Sequence, residues 1–193
     1  MARAVDPEER RAELARAAAR VIARDGIVGA SLREVAAEAG LTTGALTHHF
    51  TDKRELLRFT LRASLDHRRR TAPGPEDPAA ALRGALEAAL PVSEEARLHW
   101  IVTVAFCAQA AGDADLASEQ RDAYRRYRGA VSALVSRAAA AGRLAAGLDP
   151  VATAERLIAV VDGVALQALF DPASWPPDRQ VAVLDAALEP LQP

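Results

Sequence analysis

The sequence predicts an all-α fold of nine helices, and three observations carry that reading. Apolar residues recur at three- and four-residue intervals in segment after segment, the period of a half-buried helix. The segments open on capping residues or prolines and close at glycine or proline. No strand pattern, internal repeat or low-complexity tract stands out along the 193 residues, a length that suits one large or two small domains with a sizeable core.

Pro7 to Arg24 reads as the first helix. Leu14, Ala18, Val21 and Ile22 share a face, proline fits the first turn, and Asp25-Gly26 stops the run. A short second helix opens at Ser31, with Glu34 at the capping-box spacing. Its apolar stripe is Leu32, Val35, Ala36 and Ala39, and Gly40 supplies the positive φ of a tight turn. A third short helix begins at Thr42 or Thr43 and turns Leu46 and Phe50 inward. Two short helices joined by a glycine turn read as a helix-turn-helix, whose second helix enters the DNA major groove.

Asp52, with Glu55 three residues on, caps a fourth helix that runs to about Arg70. Its length is roughly 28 Å at 1.5 Å per residue, enough to connect a head to a body. The closing Arg68-Arg69-Arg70 tract reads as a solvated helix end that suits the dipole. Thr71 to Pro78, TAPGPEDP, is the clearest linker. The expected organisation is therefore a head over residues 1–51, a connecting helix over 52–70 and a body over 71–193.

In the body, Ala79 to Leu90 forms a fifth helix closed by Pro91. Ser93, Glu94 and Glu95 open a sixth that continues to about Ala111; apolar on nearly all sides, it belongs in the middle of the body. The seventh runs from Asp115 to Ala141, with Leu116, Ala123, Tyr124, Tyr127, Val131, Leu134, Val135 and Ala138 on its buried stripe. The eighth, Val151 to Phe170, has so few polar residues that two of its faces need cover. After a proline-closed loop, Val181, Leu184, Leu188 and Leu191 mark an amphipathic ninth.

Charge divides the chain. The formal net charge is −2, yet residues 1–70 carry 14 Arg and Lys against 10 Asp and Glu, and residues 71–193 carry 10 against 16. A basic front third suits a polyanion; the acidic remainder does not. Lys53 is the only lysine, a bias toward arginine that reads as genome composition.

Ser31 to Gly40, Thr43-Gly44-Ala45-Leu46, His48-His49-Phe50 and Asp52-Lys53 with Leu56-Leu57 resemble the DNA-binding domain of the TetR family of ligand-responsive transcriptional regulators. The family usually has tyrosine where this chain has Thr47, a departure that bears on one phosphate or thymine-methyl contact and not on the fold. The tail from Val131 through Leu191, notably VDGVALQALFDP, is similar to the C-terminal domain of the choline-responsive BetI-like members. A shared fold does not give a shared ligand.

The resemblance implies three sites. On the DNA side, Thr42, Thr43, Ala45, Thr47 and His48 face the groove, and Gly44 permits close backbone approach. Arg33 stands where a bidentate contact to guanine is worth about 1–3 kcal/mol of discrimination. His49 and Lys53 are the expected phosphate contacts, Lys53 near the positive end of helix four. In the body, a small-molecule pocket is expected among helices four to eight. Trp100, Phe106, Gln109, Tyr124, Tyr127 and Phe170 would line it, with His99, Arg128 and Gln167 as polar anchors. Tyr124 and Tyr127 would cage a cationic ligand. Taken singly, each aromatic reads as core. At the tail, Val160, Val164, Leu184 and Leu188 are expected in a homodimer seam. A two-fold dimer sets the recognition helices roughly 34–36 Å apart and calls for an inverted-repeat operator.

Enzyme chemistry finds little support. His48 and His49 are adjacent, not one helical turn apart, and Cys107 is alone, so neither a disulfide nor a cysteine cluster for zinc arises. The carboxylates are scattered, and those at helix starts read as caps. No catalytic residue, metal or cofactor is expected. The first residues are charged without an apolar core, and the longest apolar run contains His99, Thr103 and Gln109. No signal peptide or membrane span is read there, and the expected location is cytoplasmic.

The expectation is a homodimeric repressor, released from a palindromic operator by a small-molecule effector. The alternative is a DNA-binding protein of the same fold that is constitutive or switched by a protein partner. A third reading is an all-helical enzyme or lipid carrier.

Overall fold

The computed structural model describes residues 7–70 and 77–193, the side chains of residues 7–8 and 65–70 aside. Residues 71–76 of the expected linker and the Arg68-Arg69-Arg70 side chains lie outside the described residues. Among the described residues there are nine α-helices, one closing 3-10 turn and no strand. In order, the helices are α1 Pro7–Gly29, α2 Leu32–Glu38, α3 Thr43–Thr47, α4 Lys53–Arg70, α5 Pro78–Glu87, α6 Glu94–Ala110, α7 Ala114–Ala140, α8 Pro150–Phe170 and α9 Pro177–Leu188.

The capping residues explain most of these starts. Ser31 accepts from the Glu34 amide, Thr42 from Ala45, Asp52 from Glu55 at 2.8 Å, and Ser93 from Ala96. Asp113 and Asp149 each accept from two amides of the helix they open. An oxygen placed there satisfies donors that no helical carbonyl reaches. One expectation fails at an end: α5 stops at Glu87, three residues short of Leu90. The residues after it form turns, and the Ala89 carbonyl accepts from the indole N–H of Trp100 at 2.7 Å. That tertiary bond satisfies a carbonyl that no helical amide reaches.

The packing divides the chain into two compact units. The first takes the described residues of Met1–Asp66 together with Ile101–Ala117; the second takes those of His67–Trp100 together with Ser118–Pro193. Residues 71–193 therefore do not pack as one piece, because 101–117 goes with the head.

In the first unit, α1 packs on α2 and α2 on α3. Leu14, Val21, Ile22, Val35, Leu46, Phe50, Leu56 and Leu61 are its buried side chains, joined by Val102 and Phe106 from α6. The Phe50 and Phe59 rings lie 5.2 Å apart. Arg20 and Arg24 of α1 both reach Glu38 of α2, at 2.6 and 3.1 Å. Those bonds, the one from Arg20 foremost, hold the Glu38 carboxyl below the usual carboxylate range.

In the second unit, α8 and α9 pack together and α5 lies against both. Leu82, Leu86, Trp100, Val131, Val135, Leu157, Val161 and Leu184 fill the core. Arg83 of α5 grips Asp185 of α9 with two bonds, 2.7 and 3.0 Å. Arg97 donates to the Ala168 and Leu169 carbonyls, both at 3.2 Å, closing the negative end of α8 with a cation. No described helix is long and apolar enough to cross a membrane.

Candidate functional site

The helix-turn-helix is built by local hydrogen bonds. Leu41 N–H reaches the Ala36 carbonyl at 2.8 Å and Gly40 N–H the Ala37 carbonyl at 3.1 Å, with Gly40 at φ 68°. This six-to-one and five-to-two pair closes a helix and redirects the chain, and it needs a left-handed residue at the position glycine holds. Thr42 then caps α3 at once. Leu46 is fully buried and fixes the roll of this five-residue helix. As a result Thr42, Thr43, Gly44, Thr47, His48 and His49 are exposed, while Ala45 is half-buried. The Thr47 hydroxyl donates to the Gly44 carbonyl at 2.9 Å.

Arg33 on α2 projects into solvent, its side chain 83% exposed, with only a 3.4 Å contact to Glu34. Lys53, the first residue of α4, is half-buried, and its Nζ donates to the Val28 carbonyl at 2.8 Å. Next to it, Arg54 contacts Asp113 at 3.1 Å and Asp115 at 3.0 Å, and Arg58 reaches Asp115 at 3.4 Å. Asp113 sits below the usual carboxylate range, first because the Leu116 amide donates to it and then because Arg54 lies beside it. The expected DNA-side residues thus fall in one compact unit, and the polar ones lie at its surface.

The second unit holds a cleft of about 300 Å³ lined by Tyr124, Arg128, Glu155, Ile158, Ala159 and Asp162. Tyr124 Oη donates to Asp162 Oδ2 at 2.9 Å. Arg128 Nη1 lies 3.1 Å from Glu155 Oε1. Ile158 and Ala159 supply apolar floor, so hydrogen-bonding groups of α7 and α8 converge on an apolar patch. A size near 300 Å³ is the lower end of small-molecule sites.

This cleft shares part of its lining with the pocket expected from the sequence. Only Tyr124 and Arg128 of the expected lining take part. His99, Trp100 and Tyr127 are buried, and Trp100 spends its indole donor on the turn after α5. Phe106 and Gln109 belong to the first unit, Phe106 in its core and Gln109 on its surface. Gln167 is exposed and donates to the Gly163 carbonyl of its own helix, and Phe170 is 75% exposed. With Tyr127 in the core, the two tyrosines do not form a cage. Glu155, Ile158, Ala159 and Asp162 were missed. The available signal was Glu155 and Asp162, the two acids of α8, seven residues apart and so on one face.

Of the expected seam residues, Val164 is 4% exposed and Leu184 is fully buried inside the second unit. Val160 and Leu188 are half-buried. The large apolar residues exposed on α8 are Val151, Leu166 and Phe170, which share a face with Glu155, Ala159 and Asp162 of the cleft. Helix eight does carry apolar residues on two sides, but the outward set is this one.

Residues 14–58 match the family of bacterial regulatory proteins known as the tetR family, and residues 78–193 match the C-terminal region of BetI-type transcriptional repressors. The transcriptional regulator PksA of Bacillus subtilis (strain 168) is 33% identical over 99% of this chain and 94% of its own length. This chain belongs to the TetR family of transcriptional regulators. A second TetR-family relative, the nicotine-responsive transcriptional repressor HdnoR of Paenarthrobacter nicotinovorans, is 33% identical over 86% of each chain. Among solved structures, a transcriptional regulator from Rhodococcus sp. Rha1 superposes with a TM-score of 0.76 at 34% identity, covering 94% of this chain and 95% of that one. The nine-helix TetR architecture is therefore shared along nearly the whole length.

Proposed function

We propose that this TetR-family regulator is a cytoplasmic homodimeric repressor and not an enzyme. It binds an inverted-repeat operator through α2 and α3, and a small molecule seated in the cleft between α7 and α8 releases it. The observation that carries the DNA side is the exposed set on α3 and α2. A turn-and-cap construction fixes the backbone, Leu46 fixes the roll, and the side chains left outside are threonine, histidine and arginine, which hydrogen-bond base edges and phosphates. The exposed apolar stripe of α8 supports a two-fold pairing of protomers, since such a face gains from burial against its own copy.

The effector side rests on the cleft and on the family. A one-third identical relative named for its response to nicotine supports a ligand-controlled reading here. Release needs no large motion: a tenfold loss of operator affinity corresponds to about 1.4 kcal/mol of differential effector binding.

Fluorescence anisotropy with a labelled operator duplex tests both halves. Operator affinity should fall steeply with salt, since several phosphates are neutralised. A compound library screened for release should yield effectors whose action is lost in a Tyr124→Ala, Asp162→Ala double variant. Effectors that act equally on that variant would move the ligand site elsewhere. The alternative of a protein-partner switch draws on the burial of His99, Trp100 and Tyr127; it predicts that no small molecule releases the operator.

A further inference from the structure

The end of α1 carries a feature that the family resemblance does not use. Inside α1 the backbone breaks at Gly26, with φ 70° and ψ 173°. Helical geometry resumes for one short turn and ends where Ala30 N–H reaches the Gly26 carbonyl at 3.1 Å. Within that turn Gly29 approaches Asp25 so closely that an added Cβ would lie 2.8 Å from the Asp25 Cβ. The result is an exposed corner: Val28 is 84% exposed, and its carbonyl accepts the Lys53 ammonium at 2.8 Å.

We infer that the Gly26–Gly29 corner is a positioning device for Lys53, holding the ammonium ready for a DNA phosphate. The inference rests on the reading of Lys53 as a phosphate contact. An ammonium has three donors. One is spent on the Val28 carbonyl, and two remain for an anion. A free lysine side chain loses rotamer freedom when it binds phosphate; one already tethered has lost part of it beforehand. The tether needs the Val28 carbonyl aimed at α4. That aim follows from the positive φ and extended ψ at Gly26, a combination open to glycine and closed to residues with a Cβ. Nothing lies within 4 Å of an added Cβ at Gly26, so a substitution there acts through the backbone and not by collision.

The test is a double-mutant cycle read in operator affinity across a salt series. Lys53→Ala should lower affinity and reduce the slope of log K against log salt by about 0.9 for each phosphate no longer neutralised. Gly26→Ala should lower affinity by about 3- to 10-fold per half-site, the cost of ordering one long side chain, and leave the salt slope unchanged, because Lys53 still neutralises its phosphate. Gly26→Asn should lose as much as Gly26→Ala, because asparagine tolerates positive φ in the left-handed helical region and not at ψ 173°. In the Lys53→Ala background, Gly26→Ala should have no further effect. Equal losses in both backgrounds would overturn the inference while leaving Lys53 at the phosphate. If Lys53→Ala alone changes neither affinity nor slope, the phosphate assignment falls and the inference falls with it. A second measurement does not depend on a variant that folds. Because Lys53 is the only lysine, selective ¹⁵N labelling gives a single ammonium signal. In the DNA-free protein it should show an ordered Nζ, and a freely rotating one would overturn the inference.

Discussion

Arg33 and Lys53 differ in what holds them before DNA arrives. Arg33 is 83% exposed beside Glu34, whereas Lys53 is tethered to a backbone carbonyl. A planar guanidinium free to present two donors reads guanine; an ammonium at a helix start is a point charge for phosphate. Arg33→Ala should therefore relax base preference at one position per half-site, by about 1–3 kcal/mol. Lys53→Ala should weaken binding to all sequences alike. Competition assays with point-mutated operators separate the two outcomes. Other residues were not legible in this way. Tyr124 and Asp162 meet across 38 positions of sequence, and no local pattern announces such a pair. Trp100 and Tyr127 show the converse. An aromatic at helical spacing points to one side of a helix, but spacing does not say whether that side meets a cleft or the core.

At the scale of elements, what could be read was what is decided locally. Ser31, Thr42, Asp52 and Ser93 cap the helices that follow them because a cap and the amide it serves lie within three residues. The end of α5 escaped because the last residues expected in it, Ala89 and Leu90, make i to i−3 turn bonds that apolar spacing does not distinguish from helix. Two ion pairs make the contacts between elements testable. Arg83 holds the Asp185 carboxyl below the usual carboxylate range. A depressed carboxyl stabilises the fold above its unfolded pKa, near 3.9, and that contribution disappears as pH falls through the folded value. Both side chains are more than a third exposed, so the pair contributes at most about 1 kcal/mol. Asp185→Asn should lower the melting temperature by about 2–4 °C at pH 6 and converge on the wild type toward pH 3. Thermal melts across that range check it. Arg54 ties the first turn of α4 to the two acids at the start of α7. One uninterrupted helix carries Asp115 as well as Tyr124 and Arg128. Arg54→Ala should leave effector affinity within about twofold in the absence of operator and bring the effector's release factor toward one. Full release by effector in this variant would show that the tie carries no signal.

At the scale of the whole molecule, the charge asymmetry and helix count were legible because they need only composition and period. The grouping of 101–117 with the head was not, because α6 has no break in sequence at Ile101. The exposed apolar residues of α8 were half legible. The sequence marked α8 as apolar on two sides, yet burial alone separates Val164, inside, from Leu166 and Phe170, outside. Leu166→Glu with Phe170→Glu should give a monomer by light scattering without loss of helicity, since both side chains already meet solvent within one protomer. The central claim is that the head reads duplex DNA as one half of a two-fold pair. Selection of binding sites from a randomised duplex library tests it most directly. The enriched sequences should form an inverted repeat whose half-site centres lie about 10 base pairs, or a multiple of that, apart. Enrichment of a single unpaired motif, or of nothing at low salt, would contradict the claim.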